Sequence, residues 1–351
     1  MKAVLLKTCG GPENLSWQEV PDLSAGPGEA LVRVRACSLN HLDLWVREGI
    51  PAYRITLPHV LGSDIAGELV SINAGPPDPA NPGSRDPAIG SRVLVSPGRS
   101  CWECDFCLSG RDNICSRYGI LGANGGWGGY AQYARVPARS LLPIPAGIGF
   151  TEAAAFPLTF LTSWHMLLSL ARLTPGQTLL VFGAGSGVGV AAIQIAKLAG
   201  ARVIAVSTSE EKLERAKSLG ADETQLSGPG LHRRVLQATG GAGVDAVFEH
   251  VGPAVFMEAL RCLKPGGILV TCGATTGPAA ELDLRYVFSR ELRIAGARMG
   301  TLAELKTLVG LLAERKLKPV VDRTFPLSEA AQAQRHLAER KQFGKVVLVS
   351  D

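Results

Sequence analysis

The stretch Leu179–Lys197, LLVFGAGSGVGVAAIQIAK, constrains this chain more than any other. The apolar run Leu179–Phe182 reads as a buried strand. Gly183, Gly185, Gly187 and Gly189 follow in a tight cluster, and Val190, Ile193, Ala196 and Lys197 continue at helical spacing. Strand, glycine turn and helix form the layout that seats a pyrophosphate on helix N-terminal amides. Small residues are required there because a Cβ would block the close approach of phosphate to backbone. The strict G-x-G-x-x-G pattern would put glycines at 184, 186 and 189; this chain has Ala184, Ser186 and Gly189. Taken alone, a glycine-rich turn of some other α/β protein is the competing reading. The expected pyrophosphate seat is the amides of Gly187, Val188 and Gly189.

Around this turn the chain alternates strand and helix: strand 179–182, helix 188–199, strand 202–206 and helix 210–219. Weaker strands are expected at 246–249, 268–272 and 292–295. That order predicts a doubly wound parallel sheet. Upstream the pattern differs. Short strands are expected at 3–6, 30–36 and 91–96 and within 57–72, with glycine and proline turns between them, so the first part reads as mostly β and barrel-like. Residues 36–49 contain a helical face, Leu42, Trp45 and Val46, ending at Gly49. Composition shifts near 143–149, and 151–170 reads as helical. Helices at 301–315 and 328–340 and a strand at 346–349 close the pattern. The Pro-, Gly- and Ser-rich segment 73–90 is expected to be a solvent-exposed insertion.

At 351 residues with 46% hydrophobic and 19% charged residues, two domains with sizeable cores are expected. A net charge of +5 without a long Lys/Arg run argues against nucleic acid as a partner. The N-terminal MKAVLLKTCGG lacks the h-region and cleavage site of a signal peptide, and no apolar stretch reaches membrane-spanning length. No membrane partner and a cytoplasmic location are therefore expected. Of eight cysteines, Cys101, Cys104, Cys107 and Cys115 are clustered with C-x2-C-x2-C-x7-C spacing. Such clustering in a cytoplasmic chain points to metal rather than disulfides. Four thiolates at these intervals fit one tetrahedral Zn²⁺ with no open position, hence a structural zinc; an iron–sulfur cluster is the other reading.

Together, GGPENL (10–15), NHLDLWVREG (40–49), P-x3-GSD-x2-G (58–67), the four-cysteine lobe, GGYAQY (128–133), AGSGVGVAAIQIAK (184–197), EEKLERAKSLGAD (210–222) and FGKVVL (343–348) resemble the medium-chain dehydrogenase/reductase superfamily over nearly the whole chain. The resemblance implies an α/β protein: a GroES-like, mostly-β catalytic domain in which 1–145 and 301–351 pack together around a cleft, with a zinc lobe at about 98–118, and a Rossmann nucleotide-binding domain, 146–300, between them in the chain. It also implies a homodimer or homotetramer, with dimers joined through edge strands at 292–299. Related reductases use an alanine-first variant of the glycine turn, matching Ala184.

The zinc alcohol dehydrogenases of that superfamily hold a second, catalytic zinc, and their ligand positions correspond here to Asn40, to Ser63 and Asp64 of Gly62-Ser63-Asp64, and to Leu158. Asn, Ser and Leu do not make an N/S zinc site, and only Asp64 retains a ligand atom. A rewired site from Cys37, His41, His59 and Asp64 is weighed against ordinary packing of the same residues, and packing is preferred. The pattern resembles the zinc-independent quinone oxidoreductase branch, which reduces quinones or the C=C of enones and enals. A vinylogous acceptor tolerates loss of the metal, because hydrogen bonds can hold the enolate-like product. A plain alcohol needs its O–H pKa lowered.

Asn40 is the first candidate catalytic residue, donating to a carbonyl oxygen or holding the nicotinamide carboxamide; capping the following helix is its equal alternative. Tyr53 is a candidate proton or hydrogen-bond donor, or a packed surface aromatic. Asp43 joins this set in an orienting role. Thr162 matches a position near the nicotinamide in the family, and Gly273, after the strand 268–272, is added to the cofactor set. An NAD enzyme usually carries Asp or Glu at the end of the second strand. Here Ser207, Thr208 and Ser209 stand there, and Ser207, Thr208 and Lys212 suit a 2′-phosphate. Glu210 and Glu211 count the other way. NADP(H) is preferred over NAD(H). The function expected is NADPH-dependent reduction of a small quinone or α,β-unsaturated carbonyl without catalytic metal. The alternatives are an alcohol dehydrogenase and a nucleotide-binding sensor without turnover.

Overall fold

Two kinds of strand, one with alternating and one with continuous apolar residues, separate into two large sheets, beside two two-stranded ones, in the computed structural model, which describes residues 1–73 and 87–350. The chain divides into two compact units: Met1–Leu158 with Thr301–Asp351, and Thr159–Gly300.

In the first unit, β1 (Lys2–Leu6) and β2 (Leu15–Glu19) form an antiparallel pair. The long strand β3 (Glu29–Ser38) leads through helix α1 (His41–Glu48) to β4 (Asp64–Asn73) and β5 (Arg92–Val95). The short strands β6 (Gly98–Arg99) and β7 (Gly119–Ile120) bracket the cysteine cluster and helix α2 (Asp105–Leu108). Then come β8 (Tyr133–Pro137), β9 (Leu141–Pro143) and helix α3 (Phe150–Ala154). In β3, Ala30, Val32, Val34 and Ala36 point into the core while Arg33 is exposed, the period of a half-buried strand. Of the segment read as an insertion, residues 74–86 lie outside those described.

The stretch read as one helix, 151–170, is broken. Pro157 lacks an N–H and pushes the residue before it away from helical geometry. Helix α3 therefore stops at Ala154, and α4 (Pro157–Trp164) starts at the proline and continues as a π-turn over His165–Leu170. Helix α3 packs on β3 and β4 of the first unit, which is why that unit extends past the composition shift near 143–149 to Leu158.

The second unit runs β10 (Thr178–Val181), α5 (Gly187–Leu198), β11 (Arg202–Ser207), α6 (Glu210–Ser218), β12 (Glu223–Leu226), α7 (Leu231–Ala238), β13 (Val244–Glu249), α8 (Phe256–Arg261), β14 (Leu263–Thr271), α9 (Leu284–Ser289) and β15 (Arg293–Gly296). All its strand pairs are parallel, in the order β12-β11-β10-β13-β14-β15. The central strands are buried on both faces, as parallel strands covered by helices must be. Leu180, Phe182, Ile204, Val206, Val247 and Leu269 form the heart of that core. The edge strands β12 and β15 carry polar and exposed residues instead.

The chain then returns to the first unit through α10 (Leu302–Ala313), β16 (Val321–Pro326), α11 (Ala330–Ala338) and β17 (Lys345–Val349). Strand β17 pairs antiparallel with β3, Val347 opposite Ser38 and Val349 opposite Ala36. The seven-stranded sheet runs β16-β17-β3-β4-β5-β9, with β8 also on β3.

Candidate active site

Asn40 begins α1 as its N-cap, and its side chain is turned toward Asp64 and Lys345. Its Nδ2 donates to Asp64 Oδ2 at 2.9 Å, and its Oδ1 accepts from Lys345 Nζ at 2.5 Å. The same ammonium lies 3.2 Å from Asp64 Oδ2. The other oxygen, Oδ1, accepts the Leu158 amide at 2.9 Å, one of the first-turn amides a helix leaves without an internal partner. The side chains of Asp64 and Lys345 are 0% and 4% exposed, so this is a buried ion pair whose charges are both hydrogen-bonded. Burial lowers the Lys345 ammonium from its ordinary range, and the Asp64 and Asp43 carboxylates pull it back up.

Asp43 lies one turn into α1. One oxygen accepts the Asn40 amide at 2.7 Å and the other the Gly62 amide at 3.0 Å. Burial pushes its carboxyl up to about 7, against the pull of those amides and of Lys345. Gly62 is at φ +101°, and a Cβ there would meet the Tyr130 ring at 2.4 Å and Cys37 Sγ at 2.6 Å. Glycine is therefore obligatory at this turn. Ser63 Oγ is buried and without a hydrogen-bond partner. Tyr53 is half-buried in the turn that follows α1.

The residues considered for a rewired metal site are not gathered into one. Cys37 packs under Gly62, Gly129 and Tyr130, and burial raises its thiol well above the ordinary range. His41 stacks edge-on against Trp45 at 5.4 Å, and Asp64 is held by Lys345. Among the described residues, the group suited to a metal ion is Cys101, Cys104, Cys107 and Cys115, with all ligand atoms within 4.8 Å of one another. Four of their six Sγ–Sγ separations run from 3.4 to 3.9 Å. Tetrahedral Zn–S bonds of about 2.3 Å give edges of about 3.8 Å, so the four thiols fit one closed zinc site. The Arg117 guanidinium beside Cys101 holds its thiol down to about 6, which favours the thiolate that a metal needs. Asp112, within the same lobe, is buried, and its carboxylate accepts the first amide of α10, Leu302 N, at 3.1 Å.

In the second unit, strand β10 gives way to Gly183 at φ +61°, and the Ser186 amide donates back to Gly183 O at 2.8 Å. Ser186 caps α5: its Oγ accepts the Gly189 amide at 2.9 Å and its carbonyl accepts the Val190 amide. The amides of Gly187 and Val188 open the helix with no carbonyl one turn behind them. Ala184 is buried, its amide on Val206 O. A Cβ at Gly189 would meet Gly183 O at 2.3 Å, so turn and helix are packed as closely as glycine permits. Strand β10 lies between β11 and β13, where the strand order reverses, the place where open parallel sheets bind ligands.

At the end of β11, Ser207 is buried and its Oγ accepts the Ser209 amide at 3.3 Å; Thr208 is exposed. Ser209 caps α6 by accepting the Lys212 amide. Thr162 is buried in α4, and the neighbouring Ser163 Oγ donates to Val188 O at 2.9 Å. Gly273 follows β14, its carbonyl taking the Thr271 hydroxyl.

The comparisons with known proteins fit this geometry. The family description "Alcohol dehydrogenase GroES-like domain" matches residues 26–146, and "Zinc-binding dehydrogenase" matches 187–314. The quinone oxidoreductase of Pseudomonas aeruginosa is 31% identical over 99% of both chains. The alcohol dehydrogenase of Geobacillus stearothermophilus is 31% identical over the full length of both. The chain belongs to the medium-chain dehydrogenase/reductase superfamily. A solved NAD-dependent alcohol dehydrogenase shares 45% identity with this dehydrogenase/reductase over all of both chains, with a TM-score of 0.93.

This dehydrogenase/reductase is an NAD(P)-dependent oxidoreductase, and its residues fit the nucleotide: the open amides of Gly187 and Val188 are a ready anion seat. Among its described residues no helix is long and apolar enough to cross a membrane. Lys345 was not singled out from the sequence, where a lysine opening an apolar strand reads as a solvated end. The signal was the run that follows it, Val346–Leu348, since a lysine drawn into a core demands a carboxylate partner. His250 and Glu249, at the end of β13, also escaped notice. Glu249 is buried and gathers the Val251 and Gly252 amides and the Thr271 hydroxyl, which fixes the loop that carries His250.

Proposed function

We propose that this chain reduces quinones or α,β-unsaturated carbonyls with NADPH and without a catalytic metal. The observation that carries the reading is the Lys345 ammonium on Asp64 and Asn40. Where relatives of the alcohol dehydrogenase type hold zinc, this chain offers Asn40, Ser63, Asp64 and Leu158. The one carboxylate among them has both oxygens committed, one to Leu158 N and one to a cation. A second cation there would meet the first at close range.

A nicotinamide cofactor held at the glycine turn would supply the hydride that the β-carbon of the acceptor takes up. The residues supply the rest. Lys345 fixes the Asn40 amide with its oxygen toward the ammonium, and the second N–H of Nδ2 is left as a donor for the carbonyl oxygen as it gains negative charge. Tyr53 is assigned the donor that returns a proton to the product. Asp43 orients Asn40 and Gly62. Thr162, Ala184, Ser186, Gly187, Val188, Gly189 and Gly273 are assigned to the cofactor, and Ser207, Thr208 and Lys212 to its 2′-phosphate. The four cysteines hold one structural zinc. The protein is placed in the cytoplasm as a homodimer or homotetramer.

A second reading has its own support: the 45%-identical solved relative is named an NAD-dependent alcohol dehydrogenase. One experiment separates the two. Purified protein is assayed for metal and screened with quinones, enals and alcohols against both cofactors. The proposal expects about one zinc per chain, NADPH oxidation with a quinone or enone, and loss of the preference for NADPH over NADH in Lys212→Ala. Two zincs with alcohol turnover, or equal affinity for the two cofactors, would overturn it.

A further inference from the structure

We infer that His250 is a positioning residue, one that aims the Ser186 hydroxyl at the diphosphate of the dinucleotide. Its ring lies against the glycine turn. Nε2 is 3.1 Å from Ser186 Oγ, and a Cβ added at Gly183 would meet Nε2 at 2.6 Å. The ring is set from behind by an edge contact with Phe248 at 6.1 Å. Its backbone is set by the Thr275 hydroxyl on His250 O at 3.0 Å and by the Glu249 carboxylate on the two amides that follow. An imidazole is thereby held at the carboxyl end of β13, the strand beside β10, at the reversal in strand order.

The chemistry follows from the hydroxyl between them. Ser186 Oγ already accepts the Gly189 amide at 2.9 Å, so its remaining capacity is one further acceptor site and its own proton. When Nε2 accepts that proton, the pair is closed on itself. When Nε2 carries a hydrogen, Oγ accepts it and the Ser186 proton is free to point at an anion on the Gly187 and Val188 amides. His250 thus decides whether Ser186 adds a donor to the anion seat. The inference rests on nucleotide binding at this turn and is independent of which nicotinamide cofactor is used.

The test measures equilibrium affinity by fluorescence titration or calorimetry, with no turnover involved. The probes are NADPH, NADH, ADP-ribose, which keeps the diphosphate, and AMP, which lacks it. His250→Leu leaves the Ser186 hydroxyl unaimed and is expected to weaken the first three by roughly 3- to 10-fold, the range for one hydrogen bond, and to leave AMP within about twofold. His250→Gln, which retains an N–H, is expected to recover part of the loss. Unchanged ADP-ribose affinity in His250→Leu would overturn the inference. So would a parallel loss for AMP, which would mark damage to the unit rather than to the diphosphate seat. A change in the NADPH/NADH ratio alone bears on the proposed cofactor preference and counts against the diphosphate role.

Discussion

Asp43 makes the interior of the first unit sensitive to pH. Its carboxyl is raised from 3.8 to about 7, chiefly by burial. Between about pH 4 and 7 the folded chain therefore holds a proton that the unfolded chain has released, and stability falls as pH rises across that window before levelling off. Asp43→Asn removes this contribution. It also turns an NH2 toward one of two backbone donors, at a cost of about 1–3 kcal/mol. Urea denaturation at pH 5 and pH 8 should show the variant less stable at both values, with a smaller difference between them than the parent. An equal difference in the two proteins would refute the assignment. Much of this neighbourhood was legible in the sequence: Asn40 and Gly62-Ser63-Asp64 stand out because, in the family the chain resembles, their positions hold zinc ligands and their residue types here depart from that pattern, and Asp43 stands out beside them in Asn40-x-x-Asp43. What joins them was not. Lys345 lies 281 residues from Asp64, and no periodicity or local propensity links positions that far apart.

At the level of elements, periodicity located the strongly apolar strands and the helix of the glycine turn to within a residue or two. It missed β2, β12 and β16, whose polar, half-buried residues are set by neighbouring strands rather than by their own hydrophobicity. It also missed α7 and α8, eight and six residues long, too short to stand out without the sheet beneath them. The cysteine lobe was fully legible as a spacing, but its attachment was not. Asp112 carries the lobe's influence to α10, whose start is also capped by Thr301 with Glu304. Cys104→Ser is expected to release the zinc and to lower the melting temperature by at least about 5 °C, the shift for roughly 2 kcal/mol in a unit of this size. Metal analysis with calorimetry checks this. Asp112→Ala should keep the zinc and still lower the melting temperature; an unchanged value would mean that the lobe stabilises only itself.

At the scale of the whole molecule, β15 closes one side of the six-stranded sheet with an open edge, and Ile294 on it is exposed together with Leu282, Leu284 and Phe288 nearby. An uncovered edge with apolar neighbours is a template for pairing with a second chain. Ile294→Lys places a charge on that edge, and light scattering should show the mass of the proposed dimer falling to one chain while thermal stability changes by less than about 1 kcal/mol. A dimer that persists would place the interface elsewhere. The pairing of β3 with β17 has a consequence of a different kind, in the order of synthesis. Residues 36–38 wait for residues 347–349, whereas the second unit is one uninterrupted segment, Thr159–Gly300. On the ribosome the second unit has all its strands while the first still lacks two. The early strands thus emerge with an unfilled edge, and that is the interval in which the nascent chain is most exposed to chaperones and to mispairing.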